Sequence, residues 1–194
     1  VTQTKVGQET SYIQHLYPKT YSYLKKNISK FQARKSGIYK GKPLFSIFGI
    51  GYYSFKPFKV AISGLYKTYH FTLVLPQNDK PVMLDDTCYF IGFDKIEYAA
   101  YAIILLNSKT TEAFLKSITF SDAKRVFTKD ILMRIDMLNL ANLIPRTEIE
   151  EQIIFLNDKY NLDINLSQWD NFISEMRPKK EKQLTIFDSV PKSV

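Results

Sequence analysis

Two glycines, Gly49 and Gly51, lie one residue apart in the stretch FSIFGIGYYSFKPFK, a spacing that could form a phosphate-binding loop. Such a loop needs further glycines at fixed offsets and a helix that begins directly after them, so that backbone amides face the anion. Here aromatic residues follow, and position 54, where a dinucleotide-binding motif has its third glycine, is Ser54. The pattern therefore favours a positive φ, or a close approach of another backbone, over nucleotide binding.

Other residue types that perform catalysis do not combine into a site. Asp85 and Asp86 are adjacent, so on a strand they would point to opposite faces and could not share a metal ion. We interpret them as a turn or surface pair, and Cys88, the only cysteine, as a core residue. With two histidines, His15 and His70, no zinc site can be assembled. We therefore predict no catalytic residue, no metal and no cofactor in this chain, and we interpret it as a binding protein.

Positive charge is concentrated in one part of the 194 residues. The formal net charge is +8, yet residues 10–78 contain eleven Lys or Arg and no Asp or Glu. Uncompensated charge of one sign opposes folding unless a polyanion lies against it. Nucleic acid is therefore the expected partner.

Length and composition restrict the class of protein. With 45% hydrophobic residues the chain can bury a sizeable core, and it has neither a run of about 18 apolar residues nor a signal peptide. We expect a soluble, cytoplasmic protein without membrane contact. The chain begins with Val1 rather than Met, so we expect a piece of a longer protein.

Hydrophobic periodicity predicts the elements that position the basic residues. Residues 17–35 have apolar side chains three and four positions apart, which is typical of one helix face, with lysines on the other. Residues 44–91 contain short β-rich runs separated by Gly, Pro, Asn and Asp. These runs are LFSIF, KVAIS, HFTLVL, PVML and TCYFI.

The second half is predicted to be mainly helical. Residues 96–107 have the pattern of a buried helix and a shorter helix follows Thr110, whereas MRIDM (133–137) alternates like a half-exposed strand. Thr147 and Glu150 have capping-box spacing before an apolar stripe, and a second helix begins near Ser167. We predict an α+β fold with a core at 1–143, a helical hairpin at 144–177 and a flexible tail at 178–194.

Several blocks of the chain, in order, resemble a known family. They are ARKSGIYKGKPLFSIFGIGYYSFKPFKVAISGLYK, KPVMLDDTCYFIGF, LLNSK and DAKRVFTKDILMRIDM. Over about residues 17–140 the chain resembles the carboxy-terminal target-recognition region of adenine-specific DNA methyltransferases, and more narrowly the TaqI-like specificity domain of type II restriction-modification proteins. The segment IPRTEIEEQIIFL is similar to the start of the exit helix in type I specificity subunits. The resemblance implies a curled, β-helix-like recognition core with flanking helices.

The resemblance also implies that methylation and target recognition are carried out by different domains of a longer parent protein. The FxGxG loop for S-adenosylmethionine and the NPPY-type catalytic motif of these methyltransferases are absent from this chain. No catalytic residue is therefore carried over. The implied parent is an adenine-specific methyltransferase that uses S-adenosylmethionine in another domain and is fused in some members to an endonuclease.

Candidate contacts to double-stranded DNA divide into phosphate and base contacts. A helix face carrying Lys25, Lys26, Lys30, Arg34 and Lys35 is predicted to contact phosphates. A loop with Gly49, Gly51, Tyr52, Tyr53, Ser54 and Lys56 is predicted to approach base edges, with Tyr39 and Lys40 in a second contact loop. Lys59 alternates with apolar neighbours and is expected to face outward beside Ser63 and Lys67.

One motif and two other functions stay open. In the tail, QLTIF resembles the pentapeptide that docks on the replication sliding clamp, through Gln183, Leu184 and Phe187. A stand-alone nuclease with an unrecognised site would show metal-dependent cleavage. A protein-interaction or RNA-binding module would use the same basic and aromatic residues.

Overall fold

The computed structural model describes residues 3–120 and 122–177. The helices are α1 (Tyr12–Leu16), α2 (Pro18–Lys26), α3 (Ile28–Gln32), α4 (Ile96–Leu106), α5 (Lys109–Ile118), α6 (Lys129–Leu132), α7 (Met137–Leu143), α8 (Arg146–Tyr160) and α9 (Trp169–Met176). The strands are β1 (Phe58–Ser63), β2 (Thr72–Val74) and β3 (Cys88–Phe93). Short 3₁₀ turns cover Gly37–Tyr39, Tyr52–Phe55 and Leu166–Gln168.

The strands form an antiparallel sheet in the order β2-β1-β3. Val60 in β1 lies opposite Leu73 in β2 and Ile91 in β3. Because side chains alternate along a strand, Val60 and Ile62 point to one face of the sheet and Lys59 points to the other. Val60 and Ile62 are buried in the main hydrophobic core, so the core lies on their side of the sheet.

Helix α4 lies at the centre of the main core. Every residue from Tyr98 to Leu106 is buried, which is typical of a helix covered on all sides. The side chain of Asn107, just after α4, accepts a hydrogen bond from the Phe71 N–H (2.8 Å) and donates one to the Phe71 carbonyl (2.9 Å). These bonds fix the end of the buried helix to the segment that enters β2.

The basic helices α2 and α3 rest on a separate, smaller hydrophobic cluster. Leu24 and Phe45 are buried in this cluster together with Ile13 of α1. The Phe45 ring makes edge contacts with the rings of Tyr21 and Phe31, at centroid distances of 6.1 and 5.3 Å. The helix predicted over residues 17–35 is therefore present, but as two helices with a break between them.

Helices α8 and α9 pack on the main core. The apolar stripe predicted for α8 is confirmed, because Ile149, Ile153 and Leu156 are buried. Phe172 of α9 is buried with its ring centroid 5.4 Å from that of Tyr98 in α4. Both helices thus belong to the same core cluster as the sheet, and the boundary predicted between residues 143 and 144 stays a prediction.

Part of the predicted β structure is wrong. Residues 44–48 and 81–84 are not strands, and in the run at 133–137 residues 133–136 connect α6 to α7 while Met137 begins α7. Asp136 explains the last case, because its carboxylate accepts a hydrogen bond from the Asn139 N–H (3.0 Å) and caps α7. The α+β class is confirmed, but within residues 3–120 and 122–177 the sheet has three short strands and is not a curled, β-helix-like core.

The predicted clamp-docking motif is not covered by the structure. Gln183, Leu184 and Phe187 lie outside the described residues. The motif stays a prediction from the sequence.

Candidate nucleic-acid interface

Most cations of residues 10–78 lie at the surface. The exposed ones are Lys19, Lys25, Lys26, Lys30, Lys35, Lys40, Lys42 and Lys67, whereas Arg34 and Lys56 are half-buried and Lys59 is buried. Within the part of the chain that the structure describes, none of the lysines between positions 19 and 42 forms an ion pair. Their charge is therefore not neutralised by a neighbouring carboxylate.

Arg34 organises the N-terminal basic region. Its guanidinium donates hydrogen bonds to the backbone oxygens of Phe31 (Nε, 3.1 Å), Ser46 (Nη1, 2.5 Å) and Leu44 (Nη2). The same group lies over the Tyr39 ring, 4.0 Å from its centroid. A planar guanidinium can donate in a fork and stack on an aromatic ring at the same time. Arg34 therefore holds the end of α3 against the loop that follows it.

A groove of about 370 Å³ lies beside Arg34. Lys35, Lys40 and Lys42 line the groove, and no acidic residue does. Gly41 has a φ of +70°, a left-handed conformation that favours glycine and turns the chain between two of these lysines. Ammonium groups around a concave surface without carboxylates attract phosphate.

The groove brings together some of the residues predicted from the sequence. Arg34, Lys35, Tyr39 and Lys40 all line it. Lys42 is not among the residues predicted from the sequence, although its position in the acid-free window was a signal for it. Among the other predicted phosphate contacts, Lys25 and Lys26 are exposed on α2 and Lys30 is exposed on α3.

The loop that begins at Gly49 is internally ordered. The Tyr53 hydroxyl donates a hydrogen bond to the Gly49 carbonyl at 2.8 Å. The Ser54 N–H donates to the Gly51 carbonyl (2.9 Å), and the Ser54 hydroxyl accepts from the Gly51 N–H (3.3 Å). Tyr52 is 79% exposed, whereas Ser54 is buried. The Tyr52 side chain is therefore accessible to a ligand, and the Ser54 hydroxyl is used inside the turn.

These contacts show whether the glycines at positions 49 and 51 form a phosphate-binding loop. The Gly51 amide is directed to Ser54, and the residues that follow form a 3₁₀ turn rather than an α-helix, so the loop does not present a row of amides to an anion. The positive φ predicted for these glycines is found at Gly49, with a value of +70°. At Gly51 a Cβ would lie 2.7 Å from Cε1 of Tyr53, so a side chain there would displace the tyrosine.

Lys59 is buried, so the prediction that it faces outward is wrong. It is 1% exposed, and its ammonium donates a hydrogen bond to the Lys56 carbonyl at 2.6 Å. Burial lowers the pKa of Lys59 below its ordinary value of 10.5, because desolvation disfavours the charged form. Alternation correctly places Lys59 on the opposite face from Val60. That face is covered by the loop, since the Tyr53 ring lies 5.7 Å from the Phe90 ring of β3.

Three other candidates have partners outside the groove. The Lys56 ammonium forms an ion pair with Asp94, and the Lys67 ammonium donates to the Ala123 carbonyl. The Ser63 hydroxyl accepts a backbone N–H two residues later (3.3 Å), at the other end of β1 from Lys59. The structure does not place these side chains among the residues that line the groove.

A second cavity, of about 550 Å³, lies along β3. Its lining is mainly apolar and includes Ile91 and Met133, which are 42% and 74% exposed. Asp85 and Asp86 also line it, and both are exposed in the turn before β3, as predicted. Hydrogen bonds from the hydroxyl and the N–H of Thr87 lower the pKa of the Asp85 carboxyl. This surface is unlike the basic groove, because its lining is mainly apolar and its charged residues are two carboxylates and one ammonium group, that of Lys129.

The structure also bears on metal and membrane sites. In residues 3–120 and 122–177, no three His, Cys, Asp or Glu side chains are grouped so that they could hold a metal ion. Cys88 is half-buried rather than fully buried in β3. None of the helices in these same ranges is long and apolar enough to cross a bilayer.

Comparison with known proteins finds similarity to a methyltransferase. The chain is 45% identical over 144 residues to the type II methyltransferase M.NspV of Nostoc sp.. The match covers 74% of this chain and 30% of that relative, so the chain spans less than a third of the relative's length. No family model and no solved structure matches the chain, and the narrower TaqI-like resemblance stays a prediction. This chain is therefore similar to one part of a type II methyltransferase.

Proposed function

We propose that this chain is the DNA-sequence recognition domain of an adenine-specific type II restriction-modification methyltransferase. The observation that carries the proposal is an acid-free groove lined by Lys35, Lys40 and Lys42 in a chain similar to part of a type II methyltransferase. A methyltransferase that acts at defined sites on DNA needs a surface that holds the duplex and groups that distinguish its bases. The basic groove and the exposed loop are suited to these two tasks.

The groove and the helices beside it supply the phosphate contacts in this proposal. Lys25 and Lys26 on α2 and Lys30 on α3 are also exposed, and in this proposal they add further phosphate contacts. Each phosphate that a lysine neutralises releases condensed counterions, so binding weakens as salt rises. These contacts set affinity and register but do not distinguish sequences.

The loop at residues 49–56 supplies the sequence readout. Tyr52 presents an exposed hydroxyl and an aromatic ring. A hydroxyl can hydrogen-bond to base edges in the major groove, and an aromatic ring can contact a thymine methyl group. Because the loop is ordered by its own hydrogen bonds, less conformational entropy is lost when it binds DNA.

Methyl transfer belongs to another domain of the parent protein in this proposal. That domain binds S-adenosylmethionine and extrudes the target adenine from the duplex, as base-modifying enzymes do. The apolar cavity along β3, with the exposed side chains of Ile91 and Met133, suits contact with a protein surface better than contact with phosphates. The present domain would position the duplex for that partner.

The test is selection from randomised duplex DNA, followed by sequencing of the bound pool. A recognition domain should enrich one short motif, and its affinity for that motif should fall as salt rises. A double variant that removes two groove lysines, Lys40→Ala with Lys42→Ala, should bind more weakly than the wild type. The loss of affinity should be the same factor for selected and unselected duplexes. A pool without an enriched motif contradicts the proposal. Tighter binding to RNA would favour the RNA-binding alternative, and metal-dependent cleavage of DNA would favour the nuclease.

A further inference from the structure

Lys59 is a buried cation in the central strand of the sheet. Burying an ammonium group is costly unless the group is hydrogen-bonded or paired. Its hydrogen-bond partner is the Lys56 carbonyl, 2.6 Å away, and the Phe90 ring centroid lies 5.8 Å from the same nitrogen. Lys56 immediately follows the 3₁₀ turn of the 49–56 loop. The buried ammonium therefore binds the last residue of the loop to the sheet.

A glycine provides the second attachment of the loop to the sheet. Gly92 in β3 lies directly opposite Lys59 in the ladder. A Cβ at Gly92 would lie 2.8 Å from the Cβ of Lys56 and 2.9 Å from the backbone oxygen of Tyr53. Contacts this short are not tolerated, so only glycine lets the loop rest directly on the strand. Lys59 and Gly92 fix the loop from below, while Tyr52 at its tip stays exposed.

We infer that Lys59 is a positioning residue for sequence readout: it does not contact DNA, but fixes the 49–56 loop so that Tyr52 meets the bases at one orientation. This inference rests on the proposed function. A phosphate contact by Lys59 is incompatible with its 1% exposure. A purely structural role would change the stability of the protein without changing its preference between DNA sequences.

Lys59→Met tests the inference, because methionine fills the same buried space without an N–H donor. Affinity is measured for the selected duplex and for an unrelated duplex. The ratio of the two affinities should fall about tenfold, equivalent to one good base contact. Affinity for the unrelated duplex and the salt dependence should not change. Hydrogen exchange in a peptide spanning residues 48–57 should be faster than in the wild type.

Lys40→Met is the matched control, because it removes an exposed lysine that lines the groove. It should weaken binding to both duplexes equally and leave exchange in residues 48–57 unchanged. An affinity ratio and an exchange rate that both stay at wild-type values in Lys59→Met would overturn the inference. Equal weakening on both duplexes would also overturn it.

Gly92→Ala is a second route to the same result, should Lys59→Met fail to fold. The added methyl group should push the loop off the strand. The ratio of the affinities for the selected and unrelated duplexes should then fall, and hydrogen exchange in residues 48–57 should become faster. If both the ratio and the exchange rate stay at wild-type values, the inference is overturned. Failure of the proposed function is recognised separately, because the wild type would then enrich no motif. In that case the exchange measurement still decides whether Lys59 holds the loop.

Discussion

At the residue scale, Arg34 and Lys59 are cations that hold loops in place through hydrogen bonds to backbone carbonyls. Arg34 gives its donors to three backbone oxygens, and Lys59 gives a donor to a fourth. Both residues thereby fix the loops that carry exposed side chains. The exposed lysines can then interact with an anion without also having to hold the chain in place.

Replacing Arg34 by lysine should separate geometry from charge. Arg34→Lys keeps the positive charge but cannot reach the Phe31, Leu44 and Ser46 carbonyls together. We expect the free energy of unfolding to fall by about 1–3 kcal/mol, measured by urea denaturation. Affinity for every duplex should also fall, because the groove loses its shape.

Lys35→Met provides the control for this substitution. It removes an exposed charge from the same groove and leaves the Arg34 hydrogen bonds in place. Its free energy of unfolding should stay within about 0.5 kcal/mol of the wild type, whereas its DNA affinity should fall. Equal stability of Arg34→Lys and wild type would show that the carbonyl contacts contribute little.

Lys59 marks the limit of sequence-based prediction for single residues. Alternation with Val60 and Ile62 correctly identifies its face of the strand. The pattern does not reveal that a loop covers this face, because the Tyr53–Phe90 contact and the space above Gly92 depend on tertiary structure. Lys42 lay within the acid-free window, but only the turn at Gly41 shows that it shares a groove with Lys40.

At the element scale, α2 and α3 show how short helices can carry a concentrated charge. Helix α3 has five residues, too few to be stable in isolation, so its packing against Phe45 determines whether it forms. Lys30 lies in its last turn, where a cation is favoured by the helix dipole. The charge of Lys30 is thus compatible with the helix without any bound anion.

Lys30→Ala should weaken binding to all duplexes and reduce the salt dependence. Loss of one phosphate contact lowers the slope of log K against log salt by about 1. The measurement is a fluorescence-anisotropy titration at several salt concentrations. Lys109→Ala, which removes an exposed lysine from α5 outside the groove, should leave the slope unchanged. An unchanged slope in Lys30→Ala would exclude a phosphate contact at this position.

Helices and strands were predicted correctly where a run of neighbouring residues was enough to identify them, and wrongly where strand pairing or helix capping decided the structure. The buried helix α4 is recognisable from a long uninterrupted apolar run, and β1 and β3 from β-branched and aromatic runs bounded by turn residues. The alternation at 133–137 was misleading, because Asp136 serves as a helix cap and not as an outward strand residue. The runs at 44–48 and 81–84 have β composition but are not paired into the sheet.

At the scale of the whole molecule, two separate hydrophobic clusters stabilise different parts of the fold. The small cluster around Phe45 supports the basic helices, while the main cluster joins the sheet to α4, α8 and α9. Charge does not follow this division, because the acid-free residues 10–78 supply Leu24 and Phe45 to the small cluster and also Val60 and Leu73 to the main cluster. The lysines at positions 25–30 lie on the two helices that pack on the small cluster.

Phe172→Ala should test whether the last two helices unfold together with the sheet. The ring is buried against Tyr98 and Tyr101 of α4, so its removal should lower the free energy of unfolding by about 3–5 kcal/mol. We expect one transition in urea denaturation, followed by both fluorescence and circular dichroism. DNA affinity of the folded variant should match the wild type. A separate early transition would instead support a distinct domain at residues 144–177.

The anchoring of the loop through Gly92 and Lys59 has a consequence for how such a protein can diversify. Gly92 and Lys59 hold the loop on the sheet, whereas Tyr52 is exposed. Tyr52 can therefore be replaced without changing the contacts between the loop and the sheet. A library randomised at position 52 and screened for altered target preference would therefore yield folded variants at high frequency. Evolution of new specificities could follow the same path, with the scaffold constant and the tip variable.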